Sequence, residues 1–326
     1  MSQVQLQDDT VVETNRTGGQ LPTNPVGLKP PGLWTTAGKK FMRNPYAVGG
    51  LIVLLFFIGI AVFADWVAPH DPAKVDFMIT NLPPGTEGYV LGTDELGRDI
   101  LSRLIHSSRV SMLVGFSVAF AAVVIGTLIG AISGYFGGWI DTCFMRLVDV
   151  MNSIPSLFFN ILVLALFGAE FIYMILILSL TSWTSVARLV RGQFLQLREM
   201  QYVEAARAIG VSHWGIITRH LVRNAMAPII VYATLMVGSA ILSESGLSYL
   251  GLGIQPPETS WGLMLSKAQE FMLVDPLQAL YPGLCILLVV LAVNFVGDGI
   301  RDAFDPRKKK KNPKRRLNKW NATSSK

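Results

Sequence analysis

Charge is scarce in this chain of 326 residues: Asp, Glu, Lys and Arg together make up 15% of it, against about 25% in soluble domains. Hydrophobic residues make up 51%, and the mean hydropathy is +0.44. That balance excludes a soluble enzyme and a disordered tail protein. Cysteine is also scarce. Cys143 and Cys285 are the two present, too few for a disulfide framework or a cysteine zinc site. Both sit in or beside apolar runs and read as packing residues. The four histidines are His70, His106, His213 and His220. None lies in a charge-free run, and none stands at metal-ligand spacing from a cysteine or carboxylate, so no metal site is expected. Ser245–Gly246 offers a hydroxyl as a candidate nucleophile, but no span holds a histidine to activate it, so no catalytic residue is assigned. The phosphate-binding pattern G-x-x-x-x-G-K-[ST] is missing as well. The single Gly–Lys pair, Gly38–Lys39, is followed by Lys40 and has Leu33 where the first glycine belongs. If ATP drives this protein, another subunit supplies it.

What the chain does have is long stretches free of charge. Tyr46–Ala64 gives 19 residues, Val110–Ile140 31, Val150–Ala169 20, Phe171–Ala187 17, Asn224–Ser243 20 and Pro276–Gly297 22. About 20 residues of helix cross a ~30 Å hydrocarbon core. Backbone groups inside lipid must be bonded within their own segment, so helices are expected. The expectation is an all-α membrane protein of six transmembrane helices, at about 46–66, 110–134, 148–168, 171–187, 224–245 and 277–297. A cleaved signal peptide is the competing reading of the first run. That run begins at residue 46 behind Asp8, Asp9 and Glu13, and it is longer than a signal core.

Basic residues set the orientation. With an N-terminus in the cytoplasm and six spans, the cytoplasmic segments hold 23 Lys and Arg and the outer ones 5. Both termini are therefore expected in the cytoplasm.

The segments between spans differ in character. Residues 1–32 carry few large apolar side chains and read as a disordered tail. Over 33–45, Leu33, Trp34, Ala37 and Phe41 recur at helical spacing opposite Lys39, Lys40 and Arg43. An amphipathic helix on the inner membrane face fits this, and so does an unstructured basic flank. The outer loop 67–109 is broken by Pro69, Pro72, Pro83 and Pro84. It ends in an amphipathic stretch, Gly97–Arg109, expected as an interfacial helix. Arg146 and Asp149, three apart, suggest a mutual ion pair, with ligand contact as the other reading. The tail 307–326 is polybasic and placed to meet anionic lipid rather than nucleic acid.

The most patterned segment is 188–223. Glu204–Ala205–Ala206–Arg207–Ala208–Ile209 forms helix strongly. Gly210 ends it, and Ser212 can cap a second short helix that carries His213 and Trp214. Residue chemistry alone leaves open whether this is a docking element or a basic loop lying on lipid.

The order of motifs resembles a known family. Glu204–Ala205–Ala206, then Gly210, then Leu221–Val222, is similar to the EAA loop of ABC importer permeases. Further segments agree: Leu91–Asp99, Ser133–Gly138, Asp149–Pro155, Ala187–Gln193, Leu247–Gly253 and Gly297–Asp302. Together, over roughly residues 40–306, the chain resembles the C-type permease subunit of oligopeptide/dipeptide ABC importers. One departure stands out. Where the family usually places proline shortly after the His-x-x step, this chain has Arg223, with Pro228 five residues later.

The resemblance implies the type I importer permease architecture in a bacterial inner membrane, moving oligopeptides or dipeptides. Importers of nickel chelates, glutathione or other small chelators share that architecture, and a stand-alone secondary transporter is a remoter reading. The implied partners are a homologous second permease, two cytoplasmic ABC ATPases and an external substrate-binding protein. ATP and magnesium belong to the ATPases, and no cofactor to this chain. The residues expected to meet an ATPase are Glu204, Ala205, Ala206, Gly210, His213 and Trp214. Among charged groups near spans, Glu244 with Ser245 is placed either beside the translocation path or as a carboxylate at the outer interface, paired or hydrated.

Overall fold

The computed structural model describes residues 33–86 and 88–304. The tails at 1–32 and 307–326 lie outside them. Nearly all of the described chain is helical, and two isolated β-bridges, Thr86 with Tyr89 and Thr93 with Asp99, are the extended pairings within it.

A short helix, α1 (Leu33–Phe41), precedes α2 (Pro45–Val62). Asn44 caps α2 by accepting from Tyr46 and Ala47 N–H, and Pro45 occupies the first turn. Then come α3 (Ala64–Val67), an irregular loop, and α4 (Ile100–Phe136). Next are α5 (Gly138–Ser153), α6 (Ser156–Phe167) and α7 (Phe171–Leu197). After α7 come α8 (Gln201–Ala208) and α9 (His213–Gly215), the latter running through a π-helical turn, Ile216–Val222, into α10 (Arg223–Tyr249). The last are α11 (Trp261–Ala268) and α12 (Leu277–Phe304). Among the described residues, five helices are long and apolar enough to cross a membrane, and the bent pair α5–α6 makes a sixth crossing if counted as one span.

The helices depart from the charge-free runs for physical reasons. α4 does not divide into an interfacial helix and a span. It is one rod of 37 residues, about 55 Å at 1.5 Å rise. Its first turns are buried in protein at Ile100, Ser102, Arg103 and Ile105, so no lipid surface is needed to hold them. The third crossing is bent by 80°, at Pro155, which can neither donate to the ladder nor let Ile154 stay helical. α7 continues ten residues beyond Ala187 because Arg188 and Arg191 both find carboxylate partners in α5.

The most extensive helix contact is between α4 and α7. Gly126, Gly130 and Gly134 form a stripe at four-residue spacing. A Cβ on them would sit 2.7 Å from the Trp183 carbonyl oxygen, 2.5 Å from that of Ala187 and 2.8 Å from that of Arg191. Glycine lets the backbones meet, as small-residue stripes do inside membranes. Gly50 of α2 approaches Ala292 of α12 in the same way. Outward faces remain apolar and open, as at Phe120 of α4 and Leu166 of α6, which suits lipid-facing surfaces.

Candidate functional site

α8 is helical because its sequence is rich in alanine, and one residue ends it. Gly210 takes φ +80°. Its N–H donates to the Arg207 carbonyl at 3.0 Å, and Val211 N–H donates to the Ala206 carbonyl at 3.0 Å. This is a Schellman closure, which needs a left-handed residue at this position. Ser212 then accepts from Gly215 N–H at 3.2 Å and starts α9.

The element has two faces. Val203 and Ala206, three apart, are buried against the bundle together with Ile216, Ile217 and Leu221. Glu204, Ala205, Gly210 and His213 are exposed, Ile209 is 81% exposed and Trp214 60%. Of the alanine pair expected to meet an ATPase, Ala205 alone faces outward. Ala206 packs within the chain, because i and i+3 share one side of a helix. The open face thus carries a carboxylate, an alanine and two large apolar side chains, with the exposed Arg207 beside them.

The end of α4 lies against this element and is itself braced by α5 and α7. Arg191 grips Asp141 with both arms of its guanidinium, Nε to Oδ1 at 2.5 Å and Nη2 to Oδ2 at 2.6 Å. Ser133 donates to the same Asp141. Arg198 donates to the Gly134 carbonyl at 3.2 Å. Bidentate guanidinium–carboxylate pairs fix geometry as well as energy. At the end of α4, Tyr135 is 5% exposed. Its hydroxyl shares a hydrogen bond of 2.7 Å with His213 Nδ1, and the Arg207 guanidinium stands 5.6 Å from its ring centroid. His213 therefore presents one edge to solvent and one nitrogen to Tyr135.

One expectation is corrected, and the surroundings of a second pair of residues are now defined. Arg146 does not pair with Asp149: Asp149 accepts from Arg188 of α7 at 2.8 Å, across the helix interface rather than along α5. Glu244 and Ser245 do not open onto a path within this chain. Glu244 is 0% exposed. It accepts from Ser248 Oγ at 2.7 Å and from Ser245 Oγ at 3.4 Å, and Ser260 Oγ lies 3.5 Å from Ser248 Oγ. The reason is α11, which folds back so closely that a Cβ on Gly262 would meet Ser245 Cα at 2.6 Å. Trp261 locks it there, donating from Nε1 to the Leu104 carbonyl at 3.1 Å, while its N–H donates to Ser111 at 3.2 Å.

The loop beside α11 is knitted by Asp94. It accepts from Arg98 Nε and Arg103 Nη1, each at 2.8 Å. Asp99 caps α4 through Ser102 N–H at 2.9 Å. Burial pushes the Glu95 carboxyl up from its usual range, helped by the Asp94 charge. Asp65 is held below it by hydrogen bonds from Arg109 and His106. The stripe at 126, 130 and 134, the Asp141–Arg191 latch and the Tyr135 contacts all escaped the reading of the sequence. The small-xxx-small spacing was the signal available for the first. The other two join residues far apart in the chain and have no local signature.

Residues 126–310 match the family described as binding-protein-dependent transport system inner membrane component. Residues 32–84 match the N-terminal TM domain of oligopeptide transport permease C. The oligopeptide transport system permease protein OppC of Haemophilus influenzae is 42% identical over 276 residues, which cover 84% of this chain and 89% of that protein. The dipeptide transport system permease protein DppC of Alkalihalophilus pseudofirmus is 39% identical, with 85% and 90% covered. The glutathione transport system permease protein GsiD of Pectobacterium atrosepticum is 37% identical, with 85% and 92% covered. Among solved structures, a chain of the MetNI methionine ABC transporter in an inward-facing conformation superposes with a TM-score of 0.52 at 18% identity. The match covers 63% of this chain and 98% of that one, and at that identity the likeness is one of fold.

Proposed function

This chain belongs to the family of binding-protein-dependent transport system inner membrane components, and from that premise we propose that it is the permease through which an ABC importer passes oligopeptides or dipeptides. It is a multi-pass inner-membrane protein. The peptide reading is supported by the match to the oligopeptide permease C N-terminal domain and by the relatives named for peptides at 42% and 39% identity. Glutathione is the second reading, supported by the relative at 37%.

The observation that carries the functional reading is the two-faced element α8–α9. Its inner face is fixed to the bundle, and its outer face offers Glu204, Ala205, Ile209 and Trp214. Such a face suits a partner. The 23 to 5 distribution of Lys and Arg supports a cytoplasmic position for this face, where an ATPase would meet it. In this reading two ATPases, a homologous second permease and an external binding protein complete the importer. Closure of the ATPase pair displaces α8, and the displacement enters α7 and α10 through the chain itself. The ligand moves because its affinity differs between the two resulting states.

Affinity purification of the tagged chain tests the assembly. A homologous permease and two ATPase copies should be recovered. A homo-oligomer that transports without any ATPase would overturn the reading. Glu204→Lys should leave membrane insertion and ATP hydrolysis intact and lower uptake about tenfold, the effect of ~1.4 kcal/mol at a charged contact. Unchanged uptake would remove Glu204 from the interface. Competition of labelled tetrapeptide uptake by excess glutathione separates the two substrate readings.

A further inference from the structure

The covalent chain joins the α8–α9 element to two long helices only. α7 ends at Leu197, just before α8, and α9 runs through the π-helical turn into α10. α4 is remote in sequence, Tyr135 standing 78 positions before His213. Even so, α4 meets this element more intimately than connectivity requires: Phe136 lies against the His213 ring at 6.0 Å between centroids, and Tyr135 reaches both halves.

We infer that Tyr135 is the positioning residue that makes α4 a third driven helix, by fastening both halves of the ATPase-facing element to its end. This rests on the permease reading given above and adds to it a route for the displacement. Gly210, at φ +80°, divides the element into α8 and α9. A Cβ added at Gly210 would meet nothing, so the junction is held by the backbone bonds of its cap and by no side chain packed on Gly210. Tyr135 touches both. Its ring lies beneath the guanidinium of Arg207 on α8 at 5.6 Å, within cation–π range. Its hydroxyl is bonded to His213 Nδ1 on α9 at 2.7 Å, and the two rings stand edge to face with centroids 5.6 Å apart.

The side opposite the element is equally constrained. The preceding residue, Gly134, packs on the α7 backbone, and its carbonyl accepts from Arg198. Ser133 is tied to Asp141, which Arg191 holds with two bonds. A buried ring between two such walls has no free rotamer into which a push could dissipate. Movement of α8–α9 therefore displaces α4. A tyrosine that merely filled space would need a hydroxyl acceptor, and any backbone carbonyl would serve. Here the hydrogen-bond partner and the cation both belong to the element that faces outward.

The test uses the complete importer, reconstituted in vesicles with its ATPases and binding protein, and reads uptake per ATP hydrolysed. Tyr135→Phe keeps the ring and removes the bond, and should lower that ratio about fivefold, as loss of one buried hydrogen bond permits. His213→Ala should do the same. The double variant should be no worse than either single one, because both remove a shared bond. Tyr135→Ala, which also removes the cation–π contact, should fall about tenfold. In each case the ATPases should co-purify in the wild-type ratio. An unchanged ratio in assembled Tyr135→Phe, or strictly additive losses in the double variant, would overturn the inference. Should Tyr135→Ala fail to assemble, Tyr135→Phe and the double variant decide. Failure of the underlying reading looks different: no ATPase would accompany the wild-type chain, and Glu204→Lys would be silent.

Discussion

Replacing Gly130 with alanine puts the packing argument at its most exposed point. A Cβ there would stand 2.5 Å from the Ala187 carbonyl oxygen, 2.9 Å from Val190 Cβ and 3.0 Å from Arg191 N. Two of those three atoms are backbone, so no side-chain rotation relieves the contact. Ordinary separation begins at 3.4 Å, so α4 must withdraw from α7 by roughly 0.9 Å, and core overpacking of this kind costs about 1–3 kcal/mol. Against it, alanine is favoured over glycine in a helix by about 1 kcal/mol. The controls are Gly59→Ala on α2 and Gly192→Ala on α7, where a Cβ meets nothing within 4 Å and the helix term alone acts. Gly130→Ala should therefore melt below both controls, by about 2 kcal/mol or ~5 °C. The assay is a thermal scan of intrinsic tryptophan fluorescence on the purified chain in detergent. If Gly130→Ala melts with the controls, the close approach of α4 and α7 is not what the stripe provides, and the argument fails.

Three further outcomes follow from the geometry. Arg191→Gln leaves Asp141 without its two-armed partner and should destabilise the chain by about 2 kcal/mol; Arg191→Lys should recover only part of this in the same thermal scan, because an ammonium cannot match the fork. Gly210→Ala meets no neighbour, so its cost is the left-handed backbone alone, about 1 kcal/mol. Hydrogen exchange at 205–211 should quicken about fivefold, less so in Gly210→Asn. Asp65 has a carboxyl held below its usual value of 3.8 by Arg109 and His106. Its contribution is present above that value and lost as pH falls through the lowered one. The difference in melting temperature between wild type and Asp65→Asn should therefore shrink between pH 7 and pH 3; a difference that grows on acidification would refute the pairing.

Much of the architecture is legible in single residues. The charge-free runs locate the crossings because burying an unpaired charge in lipid is costly, and that rule depends on composition rather than on neighbours. It misjudged helix ends wherever a charge was paired: α7 runs on past Arg188 and Arg191 because Asp149 and Asp141 meet them. The pattern Glu204 to Gly210 announces a helix and its stop, since both propensity and the left-handed cap are local. Which alanine of the pair faces out, by contrast, depends on what lies beneath, and only the position of Val203 and Ala206 against Ile216 and Leu221 decides it. The same holds for Glu244. A carboxylate at the end of an apolar run can be a channel group or an enclosed one, and it is the folding back of α11 onto Ser245 that encloses it.

From its amino acids alone this chain was bound to be a multi-helix membrane protein with a helix–glycine–helix element between its fourth and fifth crossings, because hydropathy, helix propensity and glycine's backbone freedom act over a few residues. Only the tertiary structure decided that α4 forms the floor of that element through Tyr135, and that Gly126, Gly130 and Gly134 seat α4 on α7. Those contacts join residues tens of positions apart, and no local rule brings them together until the helices have packed.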